Sequence, residues 1–104
     1  MSALINSMSQ GVNSAASKEL NKRFGLPDHV TFCGYLIHIK QKDQFLSTVI
    51  ETASVSQRNF VKTPELAQRF NEYGEAYNTA RPENDEKIVG LFDSGTQLYV
   101  YPII

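Results

Sequence analysis

Residues 63–70 read Thr-Pro-Glu-Leu-Ala-Gln-Arg-Phe, and residues 17–24 read Ser-Lys-Glu-Leu-Asn-Lys-Arg-Phe. Both stretches open on a hydroxyl residue, pass through Glu-Leu and close on Arg-Phe. Each is followed by residues that read as a pair of strands. The expected architecture is therefore two helix–hairpin units in the order α-β-β-α-β-β. That is a single-domain α+β fold over residues 1–104, with a four-stranded antiparallel sheet and two helices packed on one face. The repeat carries no chemistry. Amphipathic helix starts share residue preferences for physical reasons, so it is weak support for a duplication.

Working outward from the first copy, Leu4, Met8, Val12, Ala16, Leu20 and Phe24 recur every four residues, a helical spacing. Gly11 and the Ser/Asn-rich run after it are poor helix interior. A firm helix is expected from about Ser14 to Phe24, with residues 1–13 a mobile arm or weak helix. Gly25, Leu26 and Pro27 supply the stop. Val30–Lys40 reads as a strand rich in β-branched and aromatic residues. Regular alternation puts Val30, Phe32, Gly34, Leu36 and His38 on one face, and Thr31, Cys33, Tyr35, Ile37 and Ile39 on the other. Phe45 to about Ser54 reads as the returning strand, and Ser54–Asn59 as a connection.

In the second copy, Thr63 as N-cap, Pro64 at the first helical position and Glu65 in the first turn mark a helix start. Leu66, Phe70, Tyr73 and Tyr77 then share a helix face, and Arg81-Pro82 ends it. Glu83–Glu86 reads as a solvated acidic loop. Lys87–Phe92 and Gln97–Tyr101 read as a hairpin around Asp93-Ser94-Gly95-Thr96. The last strand runs almost to Ile104, which marks it as integral to the sheet or to an interface.

The composition is that of an ordinary globular domain, 41% hydrophobic and 20% charged, with net charge -1. That balance gives no general footprint for a nucleic-acid or anionic-membrane partner. Cys33 is the single cysteine, which rules out an intramolecular disulfide. Met1–Gln10 lacks the basic and apolar regions of a secretory signal, and no window reaches membrane-span length. A cytoplasmic protein with no membrane partner is the expectation.

Few residues suggest catalysis. Cys33, His29 and His38 are the candidates for a thiol–imidazole pair, but Cys33 and His38 diverge on a regular strand. His29 and Cys33 lie about 13 Å apart along an extended chain. Cys33 reads most simply as a small apolar residue. Two histidines and one cysteine without ligand spacing make no metal site, and no glycine-rich loop cradles a phosphate. No catalytic residue, metal or cofactor is assigned, and an enzyme ranks below a binding module. Lys18, Lys22, Arg23, Lys40 and Lys42 could form a basic edge beside Tyr35, but solvated charges account for them better, so nucleic acid ranks last.

The aromatic residues carry more. Tyr99 and Tyr101 share one face of the last strand, and Leu98 and Val100 the other, so both faces call for cover. Tyr suits surfaces that are apolar yet keep a hydroxyl wet. The favoured function is a non-enzymatic binding or interaction module. It is expected to be a homodimer through its sheet or C-terminal strand, with Leu98, Tyr99, Val100, Tyr101 and Ile103 at the interface. The alternative is a small-molecule-binding domain whose pocket, between sheet and helices, is lined by Tyr35, Tyr73, Tyr77 and Tyr99.

Overall fold

The computed structural model describes residues 14–27 and 29–103. The expectation for residues 1–13 lies outside the described residues. Helix α1 spans Ser14–Arg23 and closes as its glycine demands. Gly25 takes a left-handed φ of 69°, which costs a residue without a Cβ nothing. Its N–H donates to Lys22 O, and the Leu26 N–H donates to Asn21 O. That pair of bonds is a Schellman closure. Buried Asn21 then anchors the turn, its Nδ2 donating to the carbonyls of Pro27 and Val30.

Among the described residues the sheet has five strands rather than four. They are β1 (Thr31–Ile39), β2 (Gln44–Glu51), β3 (Ser56–Val61), β4 (Glu86–Asp93) and β5 (Leu98–Pro102). Their order is β3-β2-β1-β4-β5, antiparallel throughout. The additional strand is β3, in the stretch expected to be a connection. Ser56, Gln57 and Asn59 are exposed while Arg58, Phe60 and Val61 are half-buried. An edge strand with so polar an outer side shows little hydrophobic pattern.

The second helix is also shorter than expected. In place of one helix from Thr63 to Arg81 there is a single 3-10 turn, Pro64–Leu66, and then α2, Tyr73–Thr79. Leu66 is 69% exposed and shares no core face with Phe70. The residues between are extended because a gap in the sheet claims them. β1 and β2 pair only at His38–Phe45 and Ile39–Gln44, beside their turn, and then diverge. Residues 68–70 fill the notch: the Gln68 N–H donates to Leu46 O, and Phe70 exchanges two bonds with Tyr35, at 2.8 and 2.9 Å. Central-strand backbone must find partners, and that demand outweighs the local helical signal.

Gly34 also alters β1. It adopts φ 126°, and the pairing with β4 slips between Phe32 and Gly34. The bulge reverses the expected alternation beyond it. Phe32, Tyr35 and Ile37 now belong to one core cluster, while Leu36 and Cys33 belong to the other. The first cluster lies under both helices and takes in Leu20, Phe70, Ala76, Ala80 and Phe92. The second, on the opposite face, joins Leu36, Phe45, Val89 and Leu91 to Ala67. The chain therefore crosses at the notch from one face to the other, with Ala67 on one side and Phe70 on the other.

Candidate functional site

β5 is an outer strand, and no described strand pairs with its free side. Its hairpin turn is built as the glycine requires: Gly95 has φ 95°, the Gly95 N–H donates to Asp93 Oδ1, and the Ser94 N–H donates to Gln97 O. Leu98, Tyr99, Val100 and Tyr101 are all half-buried, and Pro102 is exposed. None of the five carries a charge. Leu98 and Val100 pack against the second cluster, Tyr99 and Tyr101 against the first. Ile103, grouped with them in the sequence, is buried in the first cluster instead and donates its N–H to Ile88 O. Its Cδ1 lies beside Gly90, which cannot carry a Cβ without closing to 2.9 Å.

The tyrosines form two rows joined through the core. Tyr35 meets Tyr73 edge-on at 5.7 Å, and Tyr73 meets Tyr77 at 6.1 Å. On β5, Tyr99 stacks on Tyr101 at 6.4 Å, and Tyr101 stacks on Phe24 at 5.2 Å. Phe32 and Phe92 link the rows at ring separations of 5.0 to 5.8 Å. Tyr35, Tyr73 and Tyr77 are thus together, while Tyr99 sits with Tyr101. Burial pushes the Tyr35 phenol above its ordinary value, and Tyr73 adds to the shift.

Among the described residues, two of the clefts lie elsewhere. One of about 490 Å3 lies between the Pro64–Glu65 turn and the β4–β5 turn. One of about 700 Å3 is walled by Ile39, Gln41, Lys42, Arg58, Phe60 and Asp85, among others. Neither has a tyrosine in its wall. Beside the larger cleft is a polar cluster with no signature in the sequence. Glu86, expected in a solvated loop, is buried at the start of β4. Its Oε1 accepts from Arg58 Nη2 at 2.6 Å and from the Arg81 N–H at 2.8 Å; its Oε2 accepts from Arg58 Nε at 2.9 Å. Arg58 Nη2 also donates to Thr79 O, whereas its buried Nη1 has no partner among the described residues. The pair ties β3 to β4 and to the end of α2.

Cys33 does not join an imidazole. The bulge turns it to the face that carries Phe45, but His38 lies tilted against the Phe45 ring at 4.6 Å and pairs with Asp43 at 3.0 Å. Burial raises the Cys33 thiol pKa, offset in part by Arg69, so the thiol is no activated nucleophile. Of the basic residues, Lys18, Lys22, Arg23, Lys40 and Lys42 are all exposed, and Arg23 also donates to Ile103 O at 2.7 Å. No helix among the described residues is long and apolar enough to cross a membrane. No described cluster of three or more His, Cys, Asp or Glu could hold a metal ion.

What fold and surface define together is a small antiparallel α+β domain with one uncharged edge strand whose outer side no described strand pairs. No protein-family model, curated protein or solved structure matches the chain.

Proposed function

We propose that this protein is a non-enzymatic interaction module that assembles as a homodimer through β5. The observation that carries it is the contrast between the two edges of the sheet. β3 is polar, with Gln57 Nε2 donating to Asn59 Oδ1, Asn59 Nδ2 to Thr48 Oγ1, and Arg58 bound inward to Glu86. β5 has no charge and four half-buried apolar or aromatic side chains on its two faces. Natural sheets blunt free edges with charges, bulges or cover, and an edge left bare is a template for another strand. A neutral edge pairs with its own copy without like-charge repulsion.

The test uses the geometry of the ladder. Ser94 N–H bonds to Gln97 O, and Ile103 N–H bonds to Ile88 O. Bonded pairs alternate in an antiparallel ladder, so Tyr99–Phe92 and Tyr101–Gly90 are the bonded pairs between them. The N–H groups of Leu98 and Val100 therefore aim away from β4. Val100→Pro removes an outward donor and no bond to β4. Light scattering at micromolar concentration should give twice the 11.7 kDa of one chain for the parent, and one chain mass for a folded Val100→Pro. A monomeric parent, or a Val100→Pro variant that dimerises like the parent, refutes the proposal.

A further inference from the structure

Resting on that reading, we infer that the two β5 strands pair antiparallel about a two-fold axis at Tyr99, merging the sheets into one of ten strands. The groups available on the free edge are the N–H and C=O of Leu98 and Val100 and the C=O of Pro102, since proline has no N–H. With the axis at Tyr99, Leu98 of each copy faces Val100 of the other. Their four N–H groups then meet four carbonyls, and Pro102 falls opposite Thr96, beyond the ladder. With the axis at Val100, Pro102 faces Leu98 and leaves each Leu98 carbonyl without a donor. Paired strands seldom leave such groups unmet, so the first register is favoured.

The side chains favour the same choice. Phe24, Tyr101 and Tyr99 form a row of stacked rings that ends on Tyr99. The axis brings the two rows end to end, with Tyr99 facing its own copy in a closely spaced, non-bonded pair. On the other face Leu98 meets Val100. Aromatic faces aromatic and aliphatic faces aliphatic, which is the favourable pattern of cross-strand contacts. Both copies then carry their helices on the same side of the joined sheet.

Single cysteines in a Cys33→Ala background separate this register from dimerisation itself. Tyr99→Cys places two thiols across the axis with Cα atoms about 4.5 Å apart, within disulfide range. Val100→Cys leaves them two residues out of step, about 7 Å along the strand and outside that range. The expected result is an oxidised dimer of Tyr99→Cys on a non-reducing gel, at least tenfold more abundant than that of Val100→Cys. If light scattering shows a dimer and Val100→Cys cross-links instead, or neither does, the register is wrong while the interface through β5 stands. If the parent is monomeric, both fail, and the edge is left to a strand of another protein.

Discussion

Replacing Glu86 by Leu should be the most damaging single change in this molecule's polar framework. The carboxylate is buried and accepts three hydrogen bonds, two from Arg58 and one from the Arg81 N–H. Removing it leaves a guanidinium 12% exposed whose one remaining partner among the described residues is the Thr79 carbonyl. Breaking one side of a buried pair costs about 3–5 kcal/mol because the other charge remains in place. Total stability for a domain of this kind is about 5–15 kcal/mol, so the loss is a large fraction. With a urea dependence of about 2 kcal/mol per M, the unfolding midpoint should fall by about 2 M. Arg58→Met should cost a similar amount. The double variant Arg58→Met/Glu86→Leu has no stranded charge. It still orphans the Arg81 N–H, a penalty of about 1–3 kcal/mol. It should therefore be more stable than either single variant. Urea unfolding followed by circular dichroism reads all four proteins. A Glu86→Leu midpoint within about 0.5 M of the parent, or a double variant as unstable as the two singles added together, would refute this account.

Three further predictions rest on the core and the bulge. Gly90→Ala forces a Cβ to 2.9 Å from Ile103 Cδ1 and Phe92 Cε1, so it should destabilise by about 1–3 kcal/mol in thermal melts. Gly34→Ala meets both a φ of 126° and the Phe70 carbonyl at 3.0 Å. It should cost about 1–3 kcal/mol and speed amide exchange at Tyr35 and Phe70, whose mutual bonds it disturbs. Burial raises the folded pKa of Cys33 above its ordinary 9.0, so the unfolded thiol ionises first. That contribution to stability is complete below about pH 9 and is lost as pH rises through the folded value. The urea midpoint should therefore fall as pH rises above about 9, and Cys33→Ala should flatten the fall; an unchanged slope would exclude the thiol as its source.

Local signals in the sequence were enough for α1, β1 and the β4–β5 hairpin. Gly25 at a helix end, Gly95 in the short turn between β4 and β5, and the β-branched run from Val30 each act within a few residues of themselves. What the sequence hid depended on distant partners. Phe70 looks helical until the Tyr35 backbone, unpaired where β2 departs, takes it as a strand partner. Ser56–Val61 looks like a loop because an edge strand needs little apolar surface. Glu86 looks solvated because Arg58, twenty-eight positions away, neutralises it. Cys33 and His38 change their relative facing through one bulge at Gly34. On the surface, the alternation of Leu98, Tyr99, Val100 and Tyr101 was legible, because period-two patterning survives at an edge. The placement of Ile103 was not, since it depends on the space left by Gly90.

The notch between β1 and β2 bears on the order in which this chain can fold. β1 and β2 are neighbours in sequence, and a hairpin of that kind closes within microseconds. Residues 68–70 emerge later and must occupy the space that full zipping would remove. The pairing of β1 with β4 comes later still, joining residue 39 to 86 and residue 31 to 93, and such distant contacts form slowly. A chain whose first hairpin has closed completely must therefore reopen it before α2 can reach its own face of the sheet. Refolding should be paced by that reopening, and changes that weaken β1–β2 pairing near Leu36 should speed it.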